Sequence, residues 1–276
     1  MLYLARKLRG LVSIDTEYAT RRALYALLPR AQPQTGALFH CCVHKTASQW
    51  VRLVISDPRF YMATGLMPRF APSMQLESPD TREPVPEGSV VGSFFTEAET
   101  LLAIEKPADW RAFFVTRDPR DLLVSRYYSA RFSHREDAFL ARLRHEMRDL
   151  NDEEGILFVL ENHFDSITER LLSFSRTAGT TDRIVLTRYE DLTGPNQVQV
   201  WTDLLECVNV PVPGRTIASI LNFYRMERLR APGSAGKKDE KYRSGKPGEW
   251  RTVFTPAITA AFDARHGDLA LALGYR

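Results

Sequence analysis

Unbroken runs of apolar and small residues divide the chain into strand-like segments. The first run covers residues 37–43, directly after Gly36, and similar runs cover 89–95, 111–116 and 184–188. Runs of this length without polar alternation are typical of strands in a parallel sheet, where helices cover both faces. The pattern therefore predicts four strands of one parallel sheet.

Segments with helical spacing of apolar residues separate the predicted strands. Asp118 and Pro119 are suited to the cap and the first position of the helix that follows residues 111–116. Alternation of strands with helices favours the α/β class, with a sheet flanked by helices in three layers. The other predicted helices cover residues 50–55, 97–104, 136–150, 156–176, 196–208, 214–229 and 256–273.

Two segments interrupt this alternation. Residues 1–36 read as an N-terminal extension of two short amphipathic helices that end at Pro29, followed by a linker, so the main domain is expected to cover 37–276. The basic, amphipathic residues 1–30 either pack on the domain or contact a membrane surface. Residues 57–88 contain six prolines, so we expect no regular element there, but an irregular lid or substrate wall.

Composition narrows the function classes. The net charge of +3, from 37 basic and 34 acidic residues, is too small to indicate nucleic acid as the partner. No apolar run approaches the roughly 20 residues of a membrane span, and a secretory leader is not apparent. Cys41, Cys42 and Cys207 fit neither a disulfide framework nor a metal site. We expect a cytoplasmic protein without a metal.

A polar loop follows the first predicted strand. Lys45 opens it, residues 46–48 are small, and a helix begins at its end. Backbone N–H groups at a helix N-terminus attract anions, and Thr46 and Ser48 add hydroxyl donors, so the loop is suited to bind phosphate. It is not a Walker A loop, since it contains no glycine. An ordinary helix start with a solvated lysine is the alternative.

A second motif follows the strand at 111–116. Arg117 stands where that strand ends, and Ser125 lies two turns into the next helix. Ligands of α/β folds bind at this edge of the sheet, and an arginine fork with a hydroxyl can hold one oxyanion. The alternative is that Arg117 pairs with carboxylates and Ser125 faces water. Residues 242–250 form a third motif, a basic glycine-containing loop that either closes over phosphate or is an ordinary surface loop.

Together, these motifs resemble those of sulfotransferases that use 3′-phosphoadenosine 5′-phosphosulfate (PAPS). Residues 45–50 resemble the family's 5′-phosphosulfate loop, and Arg117 to Ser125 resemble its Arg-x-Pro-x-Asp-x-x-x-Ser element, which binds the 3′-phosphate. The resemblance implies a parallel sheet of about five strands in a P-loop-like domain. The nucleotide-binding residues that it implies are Lys45, Thr46, Ala47, Ser48, Gln49, Trp50, Arg117, Ser125, Tyr189, Phe223, Arg243, Ser244 and Gly245.

The resemblance also implies the reaction. A hydroxyl of a small molecule, lipid or carbohydrate takes the sulfuryl group of PAPS without a metal, and Lys45 neutralises the bridging oxygen of the departing 3′,5′-diphosphoadenosine (PAP). Cytosolic members of the family have a catalytic histidine in the segment that corresponds to residues 91–97. In this chain the segment contains no histidine. We choose Glu97 as the general base, with a pKa that burial is expected to raise. Glu77, Glu99 and His44 are the alternatives.

Two other function classes stay open. A P-loop nucleotide kinase or NTPase would require a Walker A glycine pair and an acidic Mg²⁺ ligand, and the sequence offers neither. A non-catalytic nucleotide-binding protein of this fold is compatible with the missing histidine. The acceptor pocket is expected in residues 57–88 and 132–165, where aromatic residues and arginines mix, as in an aromatic, lipid-like or anionic sugar site. These aromatic residues are Phe60, Tyr61, Phe70 and Phe132.

Overall fold

Five parallel strands form one sheet in the order β2-β3-β1-β4-β5. The structure is a computed structural model that describes residues 20, 22–69, 84–133, 138–229 and 245–275. The four predicted strands are confirmed, and the fifth is a short edge strand. The strands are β1 (Ala37–Cys42), β2 (Met67–Pro68), β3 (Ser89–Phe94), β4 (Arg111–Thr116) and β5 (Ile184–Arg188).

Helices follow β1, β3, β4 and β5 and cover the sheet. A π-helical turn, Ser129–Ser133, continues the helix that follows β4. In the described part of the chain the helices are α1 (Ser48–Ile55), α2 (Pro58–Thr64), α3 (Ala98–Ala103), α4 (Pro119–Tyr128), α5 (Ala138–Glu146), α6 (Asp152–His163), α7 (Asp165–Ala178), α8 (Tyr189–Leu192), α9 (Gln197–Cys207), α10 (Gly214–Phe223), α11 (Met226–Leu229), α12 (Trp250–Val253) and α13 (Pro256–Ala272).

The sheet is buried on both faces, because neighbouring residues of β1 join two separate apolar clusters. Phe39 belongs to the cluster that includes Phe174 of α7, whereas Leu38 belongs to the cluster that includes Trp201 of α9. All four of these side chains are fully buried. The alternation of side chains along a strand thus produces the predicted three layers.

The expectation of no regular element in residues 57–88 is wrong at its start. Asp57 caps α2 by accepting the backbone N–H of Arg59, and Pro58 occupies the first helical position, where no N–H is needed. Gly65 ends the helix with a φ of 72°. Proline therefore begins a helix here instead of excluding one. Residues 70–83 lie outside the described part.

Two predicted helices each divide into two, and the predicted helix 214–229 is α10 and α11. The predicted helix 156–176 is α6 and α7, and the break falls at Phe164. The helix α6 also begins earlier, at a capping box in which Asn151 and Glu154 exchange hydrogen bonds with each other's backbone. Phe164 is fully buried, so the apolar period continues across the break and conceals it in the sequence.

The described end of the N-terminal extension packs on α1 and α2. Tyr25 donates a hydrogen bond to the carbonyl of Ser56, and Arg30 donates one to the hydroxyl of Tyr61. These contacts support packing on the domain for residues 22–36, while residues 1–19 lie outside the described part. Within the described ranges, no helix has the length and apolar character that a membrane span requires.

Candidate active site

Four of the predicted site residues follow the carboxyl ends of four neighbouring strands. Lys45 comes after β1, Glu97 after β3, Arg117 after β4 and Tyr189 after β5. Because parallel strands end at one edge, the sheet brings these segments together, as in other α/β ligand sites. The candidate site is this carboxyl edge and the loops that join it.

The loop after β1 contains two non-glycine residues in the left-handed region. Lys45 has a φ of 76° and Ala47 a φ of 58°. The carbonyl of Ala47 accepts the N–H groups of Trp50 and Val51, which starts α1. Such backbone strain costs about 1–3 kcal/mol per residue and collects at functional sites. The loop makes, at a strain cost, the turn for which glycine is the usual residue.

The Thr46 hydroxyl is used within the loop, and the Ser48 carbonyl within the fold. Thr46 is fully buried, and its hydroxyl donates to the carbonyl of Val43 at 2.8 Å. The carbonyl of Ser48 accepts a hydrogen bond from the Ser93 hydroxyl, 3.1 Å away. The first turn of α1 is thus tied to β3.

Arg117 connects the loop after β1 to the end of β4. One terminal nitrogen of its guanidinium donates to the carbonyl of Lys45 at 2.9 Å, and its plane lies 4.5 Å over the ring of Tyr189. The side chain is buried, and its Nε has no hydrogen-bond partner within the protein. A buried, unpaired donor costs about 1–3 kcal/mol, so this nitrogen is suited to an oxyanion.

The loop at residues 245–250 is fastened to α4 by two carboxylates. Asp121 accepts the backbone N–H groups of Gly248 at 2.6 Å and Trp250 at 2.9 Å, and Asp118 accepts the indole N–H of Trp250 at 3.1 Å. The Arg120 guanidinium lies 3.9 Å from the centre of the Trp250 ring. Burial raises the pKa of Asp121, although the two backbone hydrogen bonds oppose it.

Ser125 lies on the face of α4 that carries this fastening. It follows Asp121 by four residues, so the two side chains share one side of the helix. Tyr189 donates its hydroxyl proton to the carbonyl of Gly245 at 2.6 Å, which joins the arginine to the same loop. The predicted residues Arg243 and Ser244 lie outside the described part.

Trp50 and Phe223, two of the nucleotide-binding residues that the resemblance implies, lie close together. The indole N–H of Trp50 donates to the carbonyl of Tyr224 at 3.0 Å, next to Phe223. Phe223 exposes 45% of its surface, and the guanidinium of Arg59 lies 5.3 Å from its ring. An exposed aromatic face of this kind is suited to stack on a planar ligand.

Sequence reasoning missed two carboxylates that order the site. Asp121 matched the spacing of the second motif, and Glu190 followed the predicted Tyr189, yet neither was chosen as a site residue. Glu190 accepts the backbone N–H of Asp118 at 3.1 Å and the hydroxyl of Tyr275 at 2.9 Å. Burial raises the pKa of Glu190, and these hydrogen bonds oppose it. The sequence signals for them were the position of Asp121 in the second motif and the position of Glu190 directly after Tyr189.

Glu97 is engaged in an ion pair. Its carboxylate lies 3.1 Å from Arg170 Nε. Burial works to raise the pKa of Glu97, but hydrogen bonds from its own backbone, from Arg170 and from Thr96 outweigh it, so the pKa is lowered. The expected rise in the pKa of Glu97 is therefore wrong. The sequence did not show it, because Arg170 is distant along the chain. Glu97 as general base stays a prediction, and the lowered pKa disfavours it.

The alternative bases differ in their surroundings. Glu99 accepts the Ser173 hydroxyl at 2.6 Å, and mainly this hydrogen bond lowers its pKa. Glu77 lies outside the described part. His44 is half-buried and stacks on Phe95, with the ring centres 4.3 Å apart. Among the described residues, no group of three or more metal-ligating side chains comes together.

The predicted acceptor pocket is only partly compatible with the structure. Phe60 and Tyr61 are fully buried in the core, so they do not line a pocket. Phe132 is half-buried and stacks on Tyr128, with Arg131 over its ring. Phe70 lies outside the described part. Of the described aromatic residues in this set, Phe132 is partly exposed.

Comparison with known proteins gives one family and one fold. The family model of the sulfotransferase domain matches residues 106–269, more than half of the chain. The fold is similar to mouse sulfotransferase SULT7A1 complexed with PAP, with a TM-score of 0.57 and 15% identity over 91% of this chain and 90% of that chain. No curated protein sequence matches the chain.

A second solved structure is similar in fold. It is retinol dehydratase in complex with androsterone and inactive cofactor PAP, with a TM-score of 0.52 and 15% identity. The match covers 94% of this chain and 87% of that chain. At this identity, both structures support the fold and not the activity.

The fastening of residues 245–250 leads to a first prediction. We expect Asp121→Asn to speed amide hydrogen exchange at Gly248 or Trp250 by about 10-fold or more, since the two N–H groups bond to different carboxylate oxygens and the amide replaces one of these with an NH₂ donor. Exchange is measured at single-residue resolution by NMR. Asp263→Asn, at an exposed position of α13, is the matched control. Unchanged exchange in Asp121→Asn would contradict the fastening.

Proposed function

Because the chain belongs to the sulfotransferase family, we propose that it transfers the sulfuryl group of PAPS to an acceptor hydroxyl. The observation that carries the proposal is the contact between Arg117 and the carbonyl of Lys45. Through it, a buried guanidinium and a strained phosphate-type loop form one anion-binding unit at the sheet edge.

The unit suits a nucleotide with two separate phosphate groups. The N–H groups at the start of α1 suit a 5′-phosphosulfate, since a helix N-terminus favours an anion. The unpaired Nε of Arg117 suits the 3′-phosphate, with Ser125 as a second donor on α4. Because Arg117 also holds the Lys45 loop, binding of the 3′-phosphate is proposed to order the loop that binds the 5′-phosphosulfate.

The remaining nucleotide contacts follow from the surrounding elements. Phe223 and Trp50 are proposed to stack on adenine, and Tyr189 supports the guanidinium that binds the 3′-phosphate. Residues 243–245 are proposed to cover this phosphate, with the loop held by Asp121. Both solved structures of similar fold contain PAP, which is the product that this reaction would leave.

Lys45 is proposed to stabilise the leaving group. The acceptor oxygen attacks sulfur, and the bond between sulfur and the bridging oxygen breaks, with its electron pair left on the 5′-phosphate of PAP. Negative charge therefore grows beside the loop that Lys45 opens. A lysine ammonium group there acts more strongly in the transition state than in the bound substrate.

The acceptor is proposed to be a hydroxyl compound, either a small molecule, a lipid or a glycan. The similar structure that holds androsterone supports an apolar acceptor. A P-loop kinase is not favoured, because the loop lacks the Walker A glycines. We also propose a cytoplasmic location, which is compatible with the three free thiols at Cys41, Cys42 and Cys207.

Arg117→Ala tests the 3′-phosphate site. We expect the affinity for PAP to fall about 30-fold or more, which corresponds to about 2 kcal/mol for a charged hydrogen-bonding partner. Adenosine 5′-phosphosulfate lacks the 3′-phosphate, so its affinity is expected to fall clearly less, by only as much as the Lys45 loop that Arg117 holds contributes. Titration calorimetry measures both, with exposed Arg215→Ala as the control. Equal losses of affinity for the two ligands would contradict the assignment of Arg117 to the 3′-phosphate.

Lys45→Ala tests the catalytic role of the lysine. We expect kcat to fall about 100- to 1000-fold, with PAP affinity reduced far less, because the charge that Lys45 meets develops during transfer. Transfer from radiolabelled PAPS to 2-naphthol measures the rate. Lys106→Ala, before β4 at the opposite edge of the sheet, is the control. A near-normal kcat with a raised KM for PAPS would make Lys45 a binding residue only.

A further inference from the structure

The end of β3 is irregular where it faces the phosphate-type loop. Phe39 of β1 pairs with Val91, but Cys41 pairs with Phe94, so β3 contains one extra residue between these pairs. Ser93 has a φ of 59° in this bulge. Bulges and left-handed non-glycine residues turn the side chains that follow them, and both occur preferentially beside active sites.

Two hydrogen bonds hold this bulge in place. The backbone N–H of Ser93 donates to Nδ1 of His40 at 3.2 Å, and the Ser93 hydroxyl donates to the carbonyl of Ser48. Burial, with a smaller effect from Arg52, lowers the pKa of His40 to about 3, so this imidazole is a neutral acceptor. The bulge is thus fastened both to β1 and to the first turn of α1.

The bulge leads directly to an aromatic stack. Phe95 follows it and lies against the ring of His44, with an interplanar angle of 18°. His44 immediately precedes Lys45 in the loop and is half-buried. A ring held by its loop backbone and by a face-on stack has few other orientations available, which is the preorganisation that proton transfer requires.

The other candidate bases lie in different surroundings. Glu97 pairs with Arg170, and Glu99 accepts from Ser173. His40 is sealed inside the sheet, where its ring packs on Phe113. The remaining described histidines are on or beside helices away from this loop, namely His145 on α5, His163 on α6 and His266 on α13.

We propose that His44 is the general base of the transfer, and that Phe95 and the Ser93 bulge position its ring. This inference rests on the proposed sulfuryl transfer. The acceptor O–H gives its proton to a ring nitrogen of His44 while its oxygen forms the new bond to sulfur. The bond to the bridging oxygen breaks, and its electron pair stays on PAP. The imidazolium then releases the proton to water.

His44→Gln tests the proposal with two acceptors of different acidity. We expect kcat with 2-naphthol, a weakly acidic alcohol, to fall about 100-fold or more, since general base catalysis contributes about 10²- to 10⁴-fold. With 4-nitrophenol, which ionises readily by itself, the loss is expected to be below 10-fold. PAP affinity, measured by titration calorimetry, is expected to stay within threefold. Exposed His145→Gln is the control.

The pH profile gives a second readout. Charged residues close in sequence to the stacked pair are Lys45, next to His44, and Glu97, two residues after Phe95 and paired with Arg170. In the wild-type enzyme, kcat with 2-naphthol rises with pH as the imidazole loses its proton, and then levels off. We expect His44→Gln to lack this acidic limb. Added imidazole is expected to restore part of the activity of His44→Ala, which a purely structural role would not allow.

Three results would overturn the inference, and one of them would also overturn the function. If His44→Gln keeps kcat and the acidic limb, His44 is not the base. If Glu97→Gln loses the acidic limb of the pH profile and His44→Gln keeps it, Glu97 is the general base. If the wild-type protein binds PAP but transfers the sulfuryl group of PAPS to no member of a panel of phenols, sterols and sugars, it is a nucleotide-binding protein without this activity, and both proposals fall.

Discussion

The hydrogen bond from Arg117 to the carbonyl of Lys45 is the interaction on which the site depends. Lys45 occupies a left-handed conformation that turns its carbonyl towards the end of β4. A guanidinium has five N–H donors in a fixed fork, so one of them can hold the loop while another remains for a ligand. The strained loop and the anion site on the neighbouring strand are therefore one unit.

The surroundings of Arg117 keep this unit in place. Tyr189 lies under the guanidinium and donates its hydroxyl proton to the carbonyl of Gly245. Glu190 accepts from Asp118 and from Tyr275, near the C-terminus. Segments that are distant in sequence thus meet at the end of β4. Buried polar groups with satisfied partners give such a site one defined arrangement.

The sequence was sufficient for the features that depend on local pattern. The strands were predicted because unbroken apolar runs are typical of parallel strands buried on both faces. The start of α4 was predicted because Asp118 is a favourable cap and Pro119 is favoured at the first helical position. The helix α2 was missed, since proline density was taken as exclusion although Pro58 stands at the one helical position where proline is favoured.

The details that the sequence did not predict depend on contacts within the folded protein. The hydroxyl of Thr46 is used inside its own loop, and the pKa of Glu97 is set by Arg170, on a helix that the sequence does not place beside it. The bulge at Ser93 requires the buried ring of His40, which reads in the sequence as one polar residue in an apolar strand. No local pattern reports such tertiary contacts.

The central claim is that the Lys45 loop and Arg117 together select PAPS as a sulfuryl donor. It is tested most directly by supplying the wild-type protein with radiolabelled PAPS or ATP, each with 2-naphthol, and by quantifying the products. The account predicts one naphthyl sulfate for each PAP formed and no phosphoryl transfer from ATP. Phosphorylated naphthol or ADP formed from ATP, with PAPS left intact, would contradict it.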